Sequence, residues 1–280
     1  MKTLKLTLLC CLLPVFTFAN VSQSQKDALV ALYNSTNGDS WNTSWDLDQP
    51  VTEWYGVTIE NDEIVAIDLS FNNLKGNLPS EIAGLSSLKK LNLAFNKLEG
   101  VLPEALTDMI NLETLQLFSN NLSGSIPTDI GHLKNLRILE LYNNNFSGEI
   151  PNSIGNLSKL EILILSSNQL IGTLPNGITN LKSLRILSLF DNSFLGTLPS
   201  SIGELTQLEE LVLSNNAFYG NLPNELAQLT NLKTLLLSNN GFKGNYAALK
   251  DKLPNIVDFD LDEVNMKGAL ATLDSEEDDD

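Results

Sequence analysis

Three aromatic side chains recur at a spacing that suits recognition chemistry. Phe118, Tyr142 and Phe190 belong to a column that runs Ser70, Ala94, Phe118, Tyr142, Ser166, Phe190, Ser214, Ser238, each position 24 residues after the last. Two further columns bring Gln116, Glu140 and Ile164, then Ile138, Ile162 and Ile186, beside the rings. If successive segments stack as parallel strands, equal positions become neighbours about 4.8 Å apart. The rings and isoleucines would then form an outward apolar patch, with Gln116, Glu140 and Ile164 beside the rings and Ile138, Ile162 and Ile186 beyond them. Such a patch is costly to leave in water and is typical of a binding surface. These nine residues are the candidate ligand contacts. The competing reading is that curvature half-buries the isoleucines and the rings merely pack on their neighbours.

Catalysis finds less support. His132 is the only histidine, and no cysteine or motif accompanies it, so neither a triad nor a zinc site can be built on it. Asp258, Asp260 and Asp262 share one face of a strand, with Glu263 beside them. Yet Glu263 stands where a calcium loop needs glycine, and Ala269 where it needs its closing glutamate. A solvated acidic face is the expectation there. No phosphate-cradling or dinucleotide fingerprint is present. The expectation is therefore no enzyme activity, no cofactor and no metal.

The elements that position the columns come from an internal repeat. Ile64, Leu88, Leu112, Leu136, Leu160, Leu184, Leu208, Leu232 and Ile256 recur every 24 residues without insertion or deletion. A fixed period of this length means a solenoid, whose coils cannot bury their apolar sides alone. Hydrophobes two apart, such as Leu139 and Leu141, predict a short strand with one face inward. An unbroken asparagine column runs from Asn72 to Asn240, and stacked amides can satisfy backbone groups where each coil turns. A glycine column from Gly76 to Gly244 allows a bend or close approach. Prolines from Pro79 to Pro223 follow, and pairs such as Ile154 and Leu157 suit a helical turn on the outer side. A last column, Lys89, Glu113, Arg137, Glu161, Arg185, Glu209, Lys233, alternates in sign and predicts a continuous charge ladder.

The pattern LxxLxLxxNxLxGxLPxxIxxL resembles the plant-type 24-residue leucine-rich repeat. Leu112, Leu115, Leu117, Asn120, Leu122, Gly124, Ile126, Pro127, Ile130, Gly131 and Leu133 match it almost letter for letter. The resemblance implies an α/β solenoid: a right-handed superhelix with a concave parallel β-sheet, short 3-10 turns on the convex side and ligand binding on the concave face. Before the repeats, Trp54, Gly56 and Val57 keep part of the cap motif of plant extracellular members. Thr52 and Ile59 stand where that motif has cysteines, a departure that resembles secreted bacterial members.

The ends read differently. Residues 1–19 are expected to be a secretory signal, with Lys2 and Lys5 before an apolar run and Ala19 before a cut at Asn20. Cys10 and Cys11 lie inside it, so the mature chain would lack cysteine and any membrane span. Residues 20–63 are expected to cap the array with a helix over Gln25 to Tyr33 and the aromatics Trp41, Trp45, Trp54 and Tyr55. Residues 64–255 hold eight repeats, 256–273 a partial ninth, and 274–280 an acidic tail expected to be disordered. The formal net charge of −17 argues against a nucleic-acid partner. The expected product is a secreted or cell-surface monomer, periplasmic in a bacterial source, that binds a protein or peptide. The alternative is a polysaccharide or cell-wall partner, including inhibition of a polysaccharide-degrading enzyme. Six N-x-S/T triplets, at Asn20, Asn34, Asn42, Asn121, Asn145 and Asn156, matter only in a glycosylating pathway.

Overall fold

A computed structural model of the protein describes residues 21–244 and 247–260. The leader, the acidic tail, Asp262, Glu263 and Ala269 lie outside the described residues. Each coil contributes one short strand to a ten-stranded sheet, from the six-residue Glu63–Asp68 through the three-residue Ile138–Glu140 and Ile162–Ile164 to Asp258–Asp260. Neighbouring repeat strands are parallel and in register at 24 residues, as Leu163 faces Leu139 on one side and Leu187 on the other. The first strand of the chain, Val57–Glu60, pairs antiparallel with Glu63–Asp68 and covers that edge. Short 3-10 turns such as Asn152–Asn156 form the opposite side, and Pro151 enters that turn with an extended backbone.

A second, eight-stranded parallel sheet follows the first in every coil, from Lys75–Asn77 to Gly241–Lys243. The sequence reading did not anticipate it. Its strands carry at most one buried side chain each, for example Leu122, Phe146 or Leu170. Too few inward positions exist to show alternation. Gly148 closes one such strand with φ of 77°, a conformation that glycine adopts without strain. In the outer turns, a Cβ on Gly155 would lie 2.4 Å from the Gly177 carbonyl oxygen, so adjacent coils approach backbone to backbone there.

The asparagine column holds the coils together. Asn144 Nδ2 donates to the carbonyls of Leu141 in its own coil (3.1 Å) and Leu117 in the preceding one (3.0 Å). Its Oδ1 accepts the Leu122 N–H at 3.0 Å. Asn120, Asn168, Asn192 and Asn216 repeat the same three bonds. At the front, where no coil precedes, Thr43 substitutes: its N–H donates to Asn72 Oδ1 and its carbonyl accepts from Asn72 Nδ2.

The rest of the cap closes the apolar end. Its helix, Gln23–Ser35, buries Ala28, Leu29, Leu32 and Tyr33, and the Ser22 hydroxyl accepts the Gln25 N–H at its start. Trp41, Trp45 and Trp54 are buried, and each indole N–H donates to a backbone carbonyl. Tyr55 differs from the expectation for the cap aromatics. Its ring stands exposed while its carbonyl accepts from Trp45.

The charge column is a correction. It breaks into separate pieces. Arg137 pairs with Glu161, and Arg185 and Lys233 both pair with Glu209, but Lys89 turns away from Glu113 toward Glu60. Glu113 makes no ion pair within 4 Å among the described residues. Long side chains have several acid partners in reach, and alternation of sign alone does not choose between them.

Two outcomes follow. Replacing Asn144 with Ala should leave the Leu122 N–H unpaired, strip one of two amide donors from each of the Leu117 and Leu141 carbonyls, and lower unfolding stability by about 2 kcal/mol. The same change at exposed Asn145 should stay within about 0.5 kcal/mol. Urea titration followed by circular dichroism measures both. Arg185 and Lys233 hold the Glu209 carboxyl down from 4.5 to about 2. A depressed folded-state pKa stabilises above the unfolded value and loses that contribution as pH falls through the folded one. The drop in urea midpoint between about pH 5 and pH 2 should therefore be smaller in Glu209→Gln, and smaller still in high salt.

Candidate functional site

The concave sheet brings the nine candidate contacts onto one face. Register places Ile138 between Thr114 and Ile162, and Ile186 after Ile162. In the adjacent column Gln116 faces Glu140, Glu140 faces Ile164, and Ile164 faces Ser188. All four isoleucines are half-buried, so the packing reading and the binding reading both keep their observation. The third column is held in step by main-chain bonds from Ser119 to the Tyr142 carbonyl (3.0 Å) and from Ser167 to the Phe190 carbonyl (2.7 Å).

The polar members are already oriented. Gln116 Nε2 donates to Glu140 Oε2 at 2.7 Å, and the Ser166 and Ser188 hydroxyls lie 2.7 Å apart. Burial, reinforced by the Glu140 charge, raises the Tyr142 phenol above its ordinary pKa, so it remains a hydrogen-bond donor. At the near end of the sheet, burial raises the Asp68 carboxyl. Hydrogen bonds from Ser70, Asn92 and Lys90 outweigh that and hold it below its ordinary value.

Phe118 and Tyr142 stack at 4.3 Å between centroids with 10° between planes. Phe190 is 36% exposed and stands two coils away from Tyr142, with Ser166 between, so the structure does not join it to the pair. In its place the row extends the other way. Phe95 meets Phe118 edge-on at 5.1 Å, and Phe71 stacks on Phe95 at 4.1 Å. Sequence reasoning missed Phe71 and Phe95 because they lie one position beyond the strand column. The available signal was two aromatics 24 apart at a turn position that elsewhere holds Ser, Asn or Asp.

Nothing in the arrangement assembles a nucleophile with its base or a ligand cage. Among the described residues no group of three or more His, Cys, Asp or Glu side chains could hold a metal ion, and no helix is long and apolar enough to cross a membrane. His132 ends a short turn, Ile130–His132, on the outer side.

Comparison with known proteins agrees with this architecture. The family profile described as leucine-rich repeat region matches residues 106–195 and 128–257, and a leucine rich repeat profile matches residues 62–122. A probable leucine-rich repeat receptor-like protein kinase of Arabidopsis thaliana is 43% identical over 77 residues, 27% of this chain and 8% of that protein. The Arabidopsis receptor kinase HAESA, solved in complex with the peptide hormone IDA and the co-receptor SERK1, superposes with TM-score 0.78 and 32% identity. That match covers 86% of this chain and 42% of the receptor structure. A plant ice-binding protein superposes with TM-score 0.67 and 25% identity, covering 86% of each chain. The chain thus spans less than half of the receptor it resembles and under a tenth of the curated kinase. The shared coil geometry and the profile matches show that this chain belongs to the leucine-rich repeat family and carries the plant-type repeat.

Proposed function

We propose that the chain is a secreted, non-enzymatic, monomeric recognition module that binds an extended peptide or protein segment across its concave face. The observation that carries this is the row Ile138, Ile162, Ile186 in register on the same face as the Phe118–Tyr142 stack, with the oriented Gln116–Glu140 pair between them. Four strands, from the one bearing Gln116 to the one that ends before Phe190, make the patch about 19 Å wide at about 4.8 Å each. An extended peptide rises about 3.3 Å per residue, so roughly six residues would cross the patch. Alternate side chains could enter the spaces between isoleucines, and the Glu140 carboxylate and the Tyr142 hydroxyl would fix direction.

The peptide hormone bound by the receptor relative supports the same class of ligand. A flat sugar platform at Phe118 and Tyr142 is less favoured. Each ring already gives one face to the other, and Phe95 lies edge-on against Phe118. Residues 1–19 supply the expected export signal for such a role.

Selection of displayed random octapeptides against the full chain should enrich binders with apolar residues at alternate positions. Phe118→Ala combined with Tyr142→Ala should weaken the best of them by about 30-fold or more with an unchanged unfolding midpoint. Ile162→Glu should do the same. Enrichment that is indifferent to all three substitutions would remove the patch from consideration.

A further inference from the structure

Two phenylalanines occupy a position where the fold favours a different residue. The residue that leaves each concave strand holds a left-handed backbone in all eight repeats, with φ between 51° and 58°. Six repeats place Ser119, Asn143, Ser167, Asp191, Asn215 or Asn239 there, short polar residues that tolerate this conformation. The first two place Phe71 and Phe95 there, 64% and 43% exposed. A bulky ring in that conformation is strained, and an exposed ring is poorly solvated, so the fold gains on neither count. Strain of this kind persists where function uses it.

The geometry around the two rings is that of a small mixed site. Phe71 stacks on Phe95 at 4.1 Å and 14°, yet most of its surface is exposed, so its other face is open to solvent. The hollow beside the rings is completed by Asn42, Asn73, Asn96 and Lys97. The amides are pinned: Asn42 Nδ2 donates to the Phe71 carbonyl at 2.8 Å and Asn73 Nδ2 to the Ser40 carbonyl at 2.7 Å. Asn42 Oδ1 is left as an acceptor facing no donor among the described residues. Lys97 Nζ donates to Asn73 Oδ1 at 2.8 Å and has two further N–H bonds to give. It makes no ion pair within 4 Å among the described residues, in a chain with twice as many acidic as basic side chains.

We propose that this hollow binds an acidic sugar, a uronate residue of a polysaccharide. The C–H face of the pyranose packs on the open face of Phe71, whose π-cloud is negative. The carboxylate pairs with Lys97, and a ring hydroxyl donates to Asn42 Oδ1. A peptide carboxylate could satisfy Lys97 but would leave the flat ring and the amide acceptor unused. The site lies on the first two repeats, at the end of the ring row, and does not depend on the peptide reading of the later strands.

Titration calorimetry on full-length protein made without glycosylation, so that Asn42 is bare, tests this. A hexa-uronate should bind saturably, and a neutral hexaglucan of equal length at least about tenfold more weakly. Phe71→Asn with Phe95→Asn installs the residue that other repeats use. It should weaken uronate binding by about tenfold or more while leaving Tm unchanged or raised. Lys97→Gln should bring the uronate down to the neutral oligomer's level. Neither variant changes the isoleucine row, and Lys97→Gln leaves the Phe95–Phe118 contact untouched, so loss here and loss there remain distinguishable. The proposal is overturned if the neutral oligomer or a hexaglutamate peptide binds as tightly, if the double asparagine variant retains binding or loses Tm, or if no saturable heat appears up to about 5 mM uronate.

Discussion

The structure depends on a side-chain amide that bonds across coils. Each repeat turns its backbone inward after the concave strand, which strands carbonyl and N–H groups away from water. Asn144 satisfies two of them in its own coil and the one before, and accepts a third from Leu122. A single coil therefore leaves polar groups unpaired as well as apolar surface uncovered, and it gains both only by stacking. Free energy of folding is assembled one interface at a time. The cap fits the same logic, since Thr43 offers Asn72 the partners that an earlier coil would have supplied.

That constraint explains what could be read from residue order. Positions serving the interior repeat without exception, so Leu139, Asn144 and Gly148 announce strand, turn and bend even in a sequence seen alone. The strand-facing columns follow by subtraction, which is why residue order alone places Ile138, Ile162 and Ile186 in register, as the sheet has them. The second sheet was hidden because its strands bury at most one side chain each, too few for a period of two to show. The charge column misled for a different reason. Lys89 had Glu60 within reach on the cap strand, and flexible surface cations follow local geometry.

The candidate surfaces were legible in the same uneven way. Phe118 and Tyr142 stood in a strand column and were visible, whereas Phe190 shared the column but not the contact. Phe71 and Phe95 sit one residue later, in a turn whose backbone favours short polar side chains. Their importance lies in conflict with the local rule, and a conflict becomes visible only when the backbone conformation is known.

Separation of roles follows from these observations. In a globular domain a surface residue often braces the core beneath it, so binding and stability are entangled. Here the inward rows and the amide column carry the fold, while outward side chains contact chiefly side chains one coil away, as Gln116 meets Glu140 and Phe95 meets Phe118. Substituting an outward residue disturbs its own coil and the adjoining ones, so outward surfaces can change without loss of the scaffold. The same one-dimensional contact pattern lets unlike surfaces coexist along one array. A row of isoleucines crosses the middle repeats, while strained rings and an unpaired cation mark the first two. Each is tied to its own coils, and neither requires the other in order to form.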